Sequence, residues 1–188
     1  MNRQALPRRI LLLGPPGSGK GTIGVRLAAE LGVPHVSSGQ ALRATVAAGD
    51  PYGIGDRIAA GHFAPDELVA EVVGARLGDG FILDGYPRTV AQAEQLEAIL
   101  APARRGLQVV LELGVSDEVV RARLARRATL EGRADDTPDT VSTRLAIWHE
   151  ELEPLRKYYA DRLRVVDASG PVDEVVAAAL TVLAGQYA

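Results

Sequence analysis

The stretch Gly14-Pro15-Pro16-Gly17-Ser18-Gly19-Lys20-Gly21-Thr22 concentrates glycine, a hydroxyl and one lysine. It follows an apolar run, Ile10 to Leu13, and precedes a segment of helical period, Thr22 to Leu31. A short apolar run beside a glycine turn reads as a strand buried on both faces. In a strand–turn–helix context such a loop curls its N–H groups inward and backs them with a helix N-terminus, which makes a cradle for a polyphosphate. The pattern G-x-x-x-x-G-K-[ST] is met except that Gly21 takes the hydroxyl position and Thr22 follows one later. The alternative is a glycine turn that packs a helix and binds nothing. The lysine weighs against it: of 21 basic residues only Lys20 and Lys157 are lysine, so a compact ammonium is wanted here.

Other residues could complete phosphoryl transfer, which needs charge neutralisation and alignment more than a covalent nucleophile. Asp84 ends an apolar run, Phe81 to Leu83, and suits Mg²⁺ held partly through water; the bland reading is a strand-end acid capping a turn. Arg88 lies in the turn Gly85-Tyr86-Pro87-Arg88-Thr89 and can fork onto a phosphate. Arg123 and Arg127 are spaced to share a helix face, Arg133 follows in a glycine-bearing loop, and Arg144 lies on the next helix. Taken alone these arginines would be a solvated face, but like charges one turn apart repel without an anion between them. Asp135-Asp136 could neutralise the cluster or latch it through switchable salt bridges. Residues 130–134 are short and glycine-bounded, and could close as a lid.

The elements that must position these groups alternate between strand and helix. Residues 34–37 read as a second strand. Residues 38–78 read as short helices broken by Gly49-Asp50-Pro51, Gly53, Gly55 and Gly61, a small helical insertion. Residues 80–84 and 107–113 are further strands, with a helix over 89–100 between them. Ser116 caps a helix with Asp117 and Glu118 in its first turn. Thr137-Pro138 opens the next, with an apolar stripe Val141, Leu145, Trp148, Leu152 and Leu155, and Pro154 is expected to kink or interrupt it. Residues 163–166 make a last strand and 171–183 a last amphipathic helix. Residues 1–8 read as a loosely ordered lead-in. The alternation predicts an α/β, doubly wound, five-stranded parallel sheet flanked by helices, with ligands at the carboxyl ends of the strands.

Composition bounds the rest. A chain of 188 residues, 47% hydrophobic, reads as one domain with an ordinary core. A formal charge of −3 and few aromatic residues argue against nucleic acid and anionic membranes, although Arg104, Arg105, Arg121, Arg123, Arg126, Arg127 and Arg133 crowd one window. With no cysteine, disulfides and thiolate metal sites are excluded. No apolar run is long enough for a membrane span or a signal peptide, so a soluble cytoplasmic protein is expected.

The chain resembles the adenylate kinases over nearly its whole length. The matching segments are residues 14–22, Ser-Ser-Gly-Gln-Ala-Leu-Arg (37–43), Pro-Asp-Glu-Leu-Val (65–69), Leu-Asp-Gly-Tyr-Pro-Arg-Thr (83–89), Gln92, Gly-Arg-Ala-Asp-Asp (132–136), Arg144 and Pro-Leu-x-x-Tyr-Tyr (154–159). The family also carries Gly-Lys-Gly-Thr, which accounts for Gly21. The resemblance implies the reaction ATP + AMP ⇌ 2 ADP with Mg²⁺ and no general base. It implies that Gly17, Ser18, Gly19, Lys20, Gly21 and Thr22 hold the ATP phosphates, with Arg123 beside the ATP adenine and Arg127 and Gly170 also among the ATP-binding residues. Lys20, Arg88, Arg127, Arg133 and Arg144 would surround the transferred group, and Asp84 would hold Mg²⁺. Ser38, Gly39, Arg43, Gly85, Tyr86, Pro87 and Arg88 would hold AMP together with Arg133 and Arg144. His62, Phe63, Ala64 and Val69 would line its base pocket, and Gln92 would read the adenine edge. The implied division is a single P-loop domain with a core (1–36, 67–127 and 137–188), a monophosphate-binding segment (37–66) and a short lid (128–136) of the type without zinc. A monomer is implied.

Two positions depart from the family pattern. Gln40 stands where Asp is usual, which predicts weaker Mg²⁺ binding or slower turnover; Ala64 stands where a larger aliphatic residue is common. The competing readings are a UMP/CMP-type nucleoside monophosphate kinase and a nucleotide-binding regulator of low turnover, the second favoured by Gln40 alone.

Overall fold

The computed structural model describes residues 6–59, 62, 64–104, 106–131 and 137–185. The chain runs β1 (Arg9–Leu13), α1 (Lys20–Leu31), β2 (His35–Ser37), α2 (Ser38–Ala47), α3 (Gly55–Ala59), α4 (Asp66–Gly74), β3 (Phe81–Asp84), α5 (Val90–Leu100), β4 (Val109–Gly114), α6 (Asp117–Glu131), α7 (Pro138–Tyr158), β5 (Leu163–Asp167) and α8 (Val172–Gly185). Among the described residues the strands form one five-stranded sheet in the order β2-β3-β1-β4-β5, and every pairing is parallel. This is the architecture the alternation of strands and helices predicts.

Successive residues of a strand face opposite sides, and the sheet divides its apolar residues accordingly. Leu11, Leu13, Phe81, Leu83 and Val110 face a core closed by α2, α4, α5 and the end of α7. Ile10, Leu12, Ile82, Val109, Leu111 and Leu113 face a second core closed by α1 and α8. The central strands are therefore apolar on both faces, as their uninterrupted runs predict. A third, small cluster of Val120, Leu124, Val141 and Leu145 fastens α6 to α7. From β1 the chain moves to β2 on one side, returns through β3 beside β1, and crosses to β4 and β5 on the other. The strand order thus reverses around β1, and the crevice at the carboxyl ends opens there.

Two expectations need correction. Pro154 does not interrupt α7, which runs on to Tyr158. Leu155 and Tyr159 are almost fully buried, and Arg156 grips the buried Glu112 through two hydrogen bonds of 2.8 and 2.6 Å. Those contacts hold the last turn and offset the amide donor that proline lacks. Nor is the whole lead-in loose. Leu6 is buried in the second core, and the Arg8 backbone N–H donates to Gln108 Oε1 at 2.8 Å. Residues 1–5 lie outside the described residues.

Candidate active site

The loop between β1 and α1 is shaped by glycine. Gly17 has φ of +79°, and a Cβ there would stand 2.8 Å from Leu124 Cγ, so a side chain would break both the turn and its packing on α6. Lys20 is the first residue of α1, and its Nζ donates to the carbonyl oxygens of Gly14 and Pro15, each at 2.8 Å. Burial is the main cause that lowers its pKa to about 8; Asp84 opposes the shift, and Arg88 and Arg127 add to it. The ammonium thus sits among cations, where a polyphosphate would relieve the repulsion.

Asp84 closes β3, 6% exposed, and its Oδ2 lies 3.6 Å from His35 Nε2, itself buried without a hydrogen bond. A Cβ on Gly21 would lie 3.9 Å from the same carboxylate oxygen, so the acid faces the phosphate loop. The turn that follows passes through Gly85, whose φ is +83° and whose Cβ would meet Ser38 Oγ at 2.6 Å. This close approach seats Ser38, the first residue of α2, against the turn that carries Arg88. The Arg88 Nε donates to the Gly85 carbonyl at 2.8 Å. Burial foremost, then repulsion by Arg144, lowers the guanidinium to about 10, against the pull of Asp84. Arginine so placed is still a cation at neutral pH.

A cavity of about 870 Å³ joins these groups. Its wall includes Gly17, Ser18, Gly19, Lys20, Gly21 and Thr22 from the loop, Asp84, Gly85, Tyr86 and Arg88 from the β3 turn, and Arg123, Arg127 and Arg144 from α6 and α7. Gly170 from the β5–α8 loop and Ser38, Gly39, Arg43, His62, Ala64, Val69 and Gln92 also line it. A smaller cavity of about 90 Å³ shares Lys20, Arg88 and Arg144 with it and is also lined by Pro87 and Trp148. Phe63 and Arg133, and the Asp135-Asp136 pair, lie outside the described residues, as does most of the segment read as a lid; α6 itself continues to Glu131.

The arginine cluster of the sequence separates by helix face. Arg123 and Arg127 are half-buried and line the cavity, whereas Arg104, Arg121 and Arg126 are exposed. Arg123 ties two loops together: it donates to the carbonyls of Ser18 at 3.4 Å and Ser169 at 3.0 Å, joining the β1–α1 loop to the β5–α8 loop. Some lining residues were not singled out in the sequence, among them Val25, Ile58, Pro171 and Val172. They are apolar or turn residues with no motif of their own; only their nearness to the phosphate loop or the helical insertion could have pointed to them.

The Gln92 amide is buried between two partners. Its Oε1 accepts from the Arg88 backbone N–H and its Nε2 donates to Asp66 Oδ1, both at 2.7 Å. Asp66 escaped the sequence reading as a site residue, although it stands in the Pro-Asp-Glu-Leu-Val segment. Among the described residues no group of three His, Cys, Asp or Glu is gathered around one point. A lone carboxylate facing a phosphate loop fits Mg²⁺ that takes its remaining ligands from phosphate and water. No helix among the described residues is long and apolar enough to cross a membrane.

Comparison with known proteins gives the same picture over the chain. The family model described as adenylate kinase matches residues 12–163. The chain is 44% identical over 182 residues to an adenylate kinase of Mycobacterium tuberculosis (strain ATCC 25618 / H37Rv), which covers 93% of this chain and 98% of that protein. It is also 44% identical over 177 residues to an adenylate kinase of Xanthomonas campestris pv. campestris (strain B100), covering 89% and 95% of the two chains. A family match across most of the chain, on a fold whose loop, strand-end acid and arginines meet in one cavity, has one meaning: the chain belongs to the adenylate kinase family.

Proposed function

We propose that this protein catalyses the reversible, Mg²⁺-dependent transfer of the terminal phosphoryl group of ATP to AMP, giving two ADP. The observation that carries this reading is that Lys20, Asp84, Arg88, Arg123, Arg127 and Arg144 line one cavity together with the glycine-rich loop, and that its volume of about 870 Å³ leaves room for two nucleotides. An oxygen of the AMP phosphate forms the new bond to the terminal phosphorus of ATP, the bond from that phosphorus to the ADP oxygen breaks, and the charge remains on phosphate oxygens throughout. No side chain need remove a proton, because the attacking oxygen is already ionised. Catalysis is then alignment and electrostatic stabilisation by groups already in place.

Residues 17–22 hold the donor phosphates, and Arg123 and Gly170 flank the donor base. Arg88, Arg127 and Arg144, together with Arg133, neutralise the group in flight. Ser38, Gly39, Arg43, Gly85, Tyr86 and Pro87 seat the acceptor, with His62, Phe63, Ala64, Val69 and Gln92 around its base. Asp84 would hold Mg²⁺ through water, and the ion when bound neutralises charge on the donor phosphates. Residues 37–66 and 128–136 are read as segments that close over the nucleotides to exclude water, and their reopening sets turnover. The protein is read as a cytoplasmic monomer acting on free nucleotides, in keeping with its acidic balance.

Phosphorus NMR of the protein with ATP, Mg²⁺ and each of AMP, UMP, CMP and GMP tests the reading. Rapid ADP formation with AMP alone is expected. Equal or faster transfer to UMP or CMP would replace it with a pyrimidine monophosphate kinase. ATP binding without transfer to any acceptor would favour a low-turnover regulator, the reading that Gln40 supports.

A further inference from the structure

Gln92 is 4% exposed, and both ends of its amide are committed. The Arg88 backbone N–H can only donate, and it faces Oε1 at 2.7 Å. The Asp66 carboxylate, when ionised, can only accept, and it faces Nε2 at 2.7 Å. A glutamine amide is ordinarily free to present either end. Here a flip would set donor against donor and acceptor against acceptor in a buried place. The neighbours therefore impose one orientation, and the Gln92 backbone N–H, which donates to Thr89 Oγ1 at 3.2 Å, anchors the base of the same side chain. Asp66 lies behind Gln92 and is not part of the cavity wall, whereas Gln92 is. As the first residue of α4, Asp66 also sits where the helix dipole favours a carboxylate.

An amide so held has one lone pair left on Oε1 and one proton left on Nε2. Adenine offers an exocyclic amino donor beside a ring-nitrogen acceptor. Hypoxanthine has the same size and offers the reverse, a carbonyl acceptor beside a ring N–H donor. A fixed amide meets the first with complementary groups and the second with like groups in the same pose. An amide free to flip serves both.

We propose that Asp66 is a positioning residue for acceptor selectivity: by holding Nε2 of Gln92, it fixes the amide in the orientation that prefers 6-amino over 6-oxo purine monophosphates. This rests on the reading above that Gln92 faces the acceptor base. The Arg88 N–H completes the clamp, so the residue proposed to grip the acceptor phosphate also orients the group that reads its base.

The test is steady-state kinetics of the full chain with saturating ATP and Mg²⁺, using AMP and IMP as acceptors. Asp66→Ala is expected to lower the AMP:IMP ratio of kcat/KM about tenfold, the loss expected for one misplaced buried hydrogen bond, through KM for the acceptor and not through KM for ATP. Asp66→Asn keeps a carbonyl oxygen toward Nε2 and should retain most of the ratio. In a Gln92→Ala background, Asp66→Ala should change the ratio no further. If Asp66→Ala does not fold, Asp66→Ser serves instead, since its hydroxyl suits a helix N-terminus but is too short to reach Nε2. A ratio that collapses in Gln92→Ala yet stays at the parent value in Asp66→Ala or Asp66→Ser would overturn the role of Asp66 and leave the base reading standing. A ratio unchanged in Gln92→Ala would overturn the base reading itself, and this inference with it. An equal effect of Asp66→Ala with and without Gln92 would also refute the proposal, because Asp66 would then act by another route.

Discussion

Lys20 Nζ donates to the carbonyl oxygen of Gly14 at 2.8 Å, so the ammonium lies folded over the loop that precedes its own helix. It is also close enough to Arg88 and Arg127 to feel their charge. The position suits a cation that neutralises phosphate, and it costs stability when no phosphate is there to answer it.

That cost should be visible in a pH series. The Lys20 pKa falls from 10.5 to about 8 on folding. Between those two values the unfolded chain holds a proton that the folded chain has released, so stability from this group rises with pH across that window. Below it both states hold the proton, and the folded state bears the full penalty. Lys20→Met should therefore be more stable than the parent near neutral pH, with the gap closing as pH rises toward 10. It should also lower phosphoryl transfer at least about a hundredfold. Urea unfolding at stepped pH measures the first effect, and a pH-independent gap would refute the depressed titration.

The Arg88 guanidinium donates through Nε to the Gly85 carbonyl of its own turn and lines the cavity beside Lys20 and Asp84. Removing it should spare the fold and strike the chemistry. Arg88→Ala is expected to keep the parent circular dichroism spectrum while transfer to AMP falls about a hundredfold or more. An active Arg88→Ala enzyme would remove this residue from its assigned role.

Gln40 is exposed on the cavity wall in the first turn of α2, where the family usually carries an acid. A carboxylate there would add negative charge near the phosphate site. Gln40→Asp should shift activation toward lower Mg²⁺ concentration or raise turnover. Superimposable Mg²⁺ activation curves for parent and variant would sink the idea.

Glu112 is almost fully buried in β4, and its carboxylate accepts from Nε and Nη2 of Arg156. Arg156→Ala leaves that carboxylate without its cation and should cost about 3 kcal/mol in thermal or urea unfolding. Replacing both residues by leucine should recover most of the loss, since an apolar pair needs no charge partner. A double variant as unstable as the single one would show that packing around α7, rather than the buried charge, governs this site.

The local order along this chain was legible because each decisive signal acts over a few residues. The apolar run before Gly14, the glycines and Lys20 determine a strand, a turn and a helix start by backbone sterics and dipole alone. The acid at Asp84 and the turn to Arg88 follow from the same kind of local evidence, and parallel pairing follows from the alternation of strands with helices. Other features depend on groups distant in sequence. Reversal of strand order around β1 is set by which faces α1, α5 and α8 bury. Helix rotation in the packed α6–α7 pair decides that Arg123 and Arg127 face the cavity while Arg121 and Arg126 face water. Pro154 stays within a helix because Leu155, Tyr159 and the Arg156–Glu112 contact outweigh its missing donor. Gln92 is oriented by Asp66, 26 positions away, and no local pattern announces a hydrogen bond between two helices. The sequence by itself determined the phosphate loop and the kind of sheet that carries it, because those obey short-range rules. Only tertiary structure decided which charges meet and which way the Gln92 amide is turned, because those depend on packing between elements that are neighbours only in the folded chain.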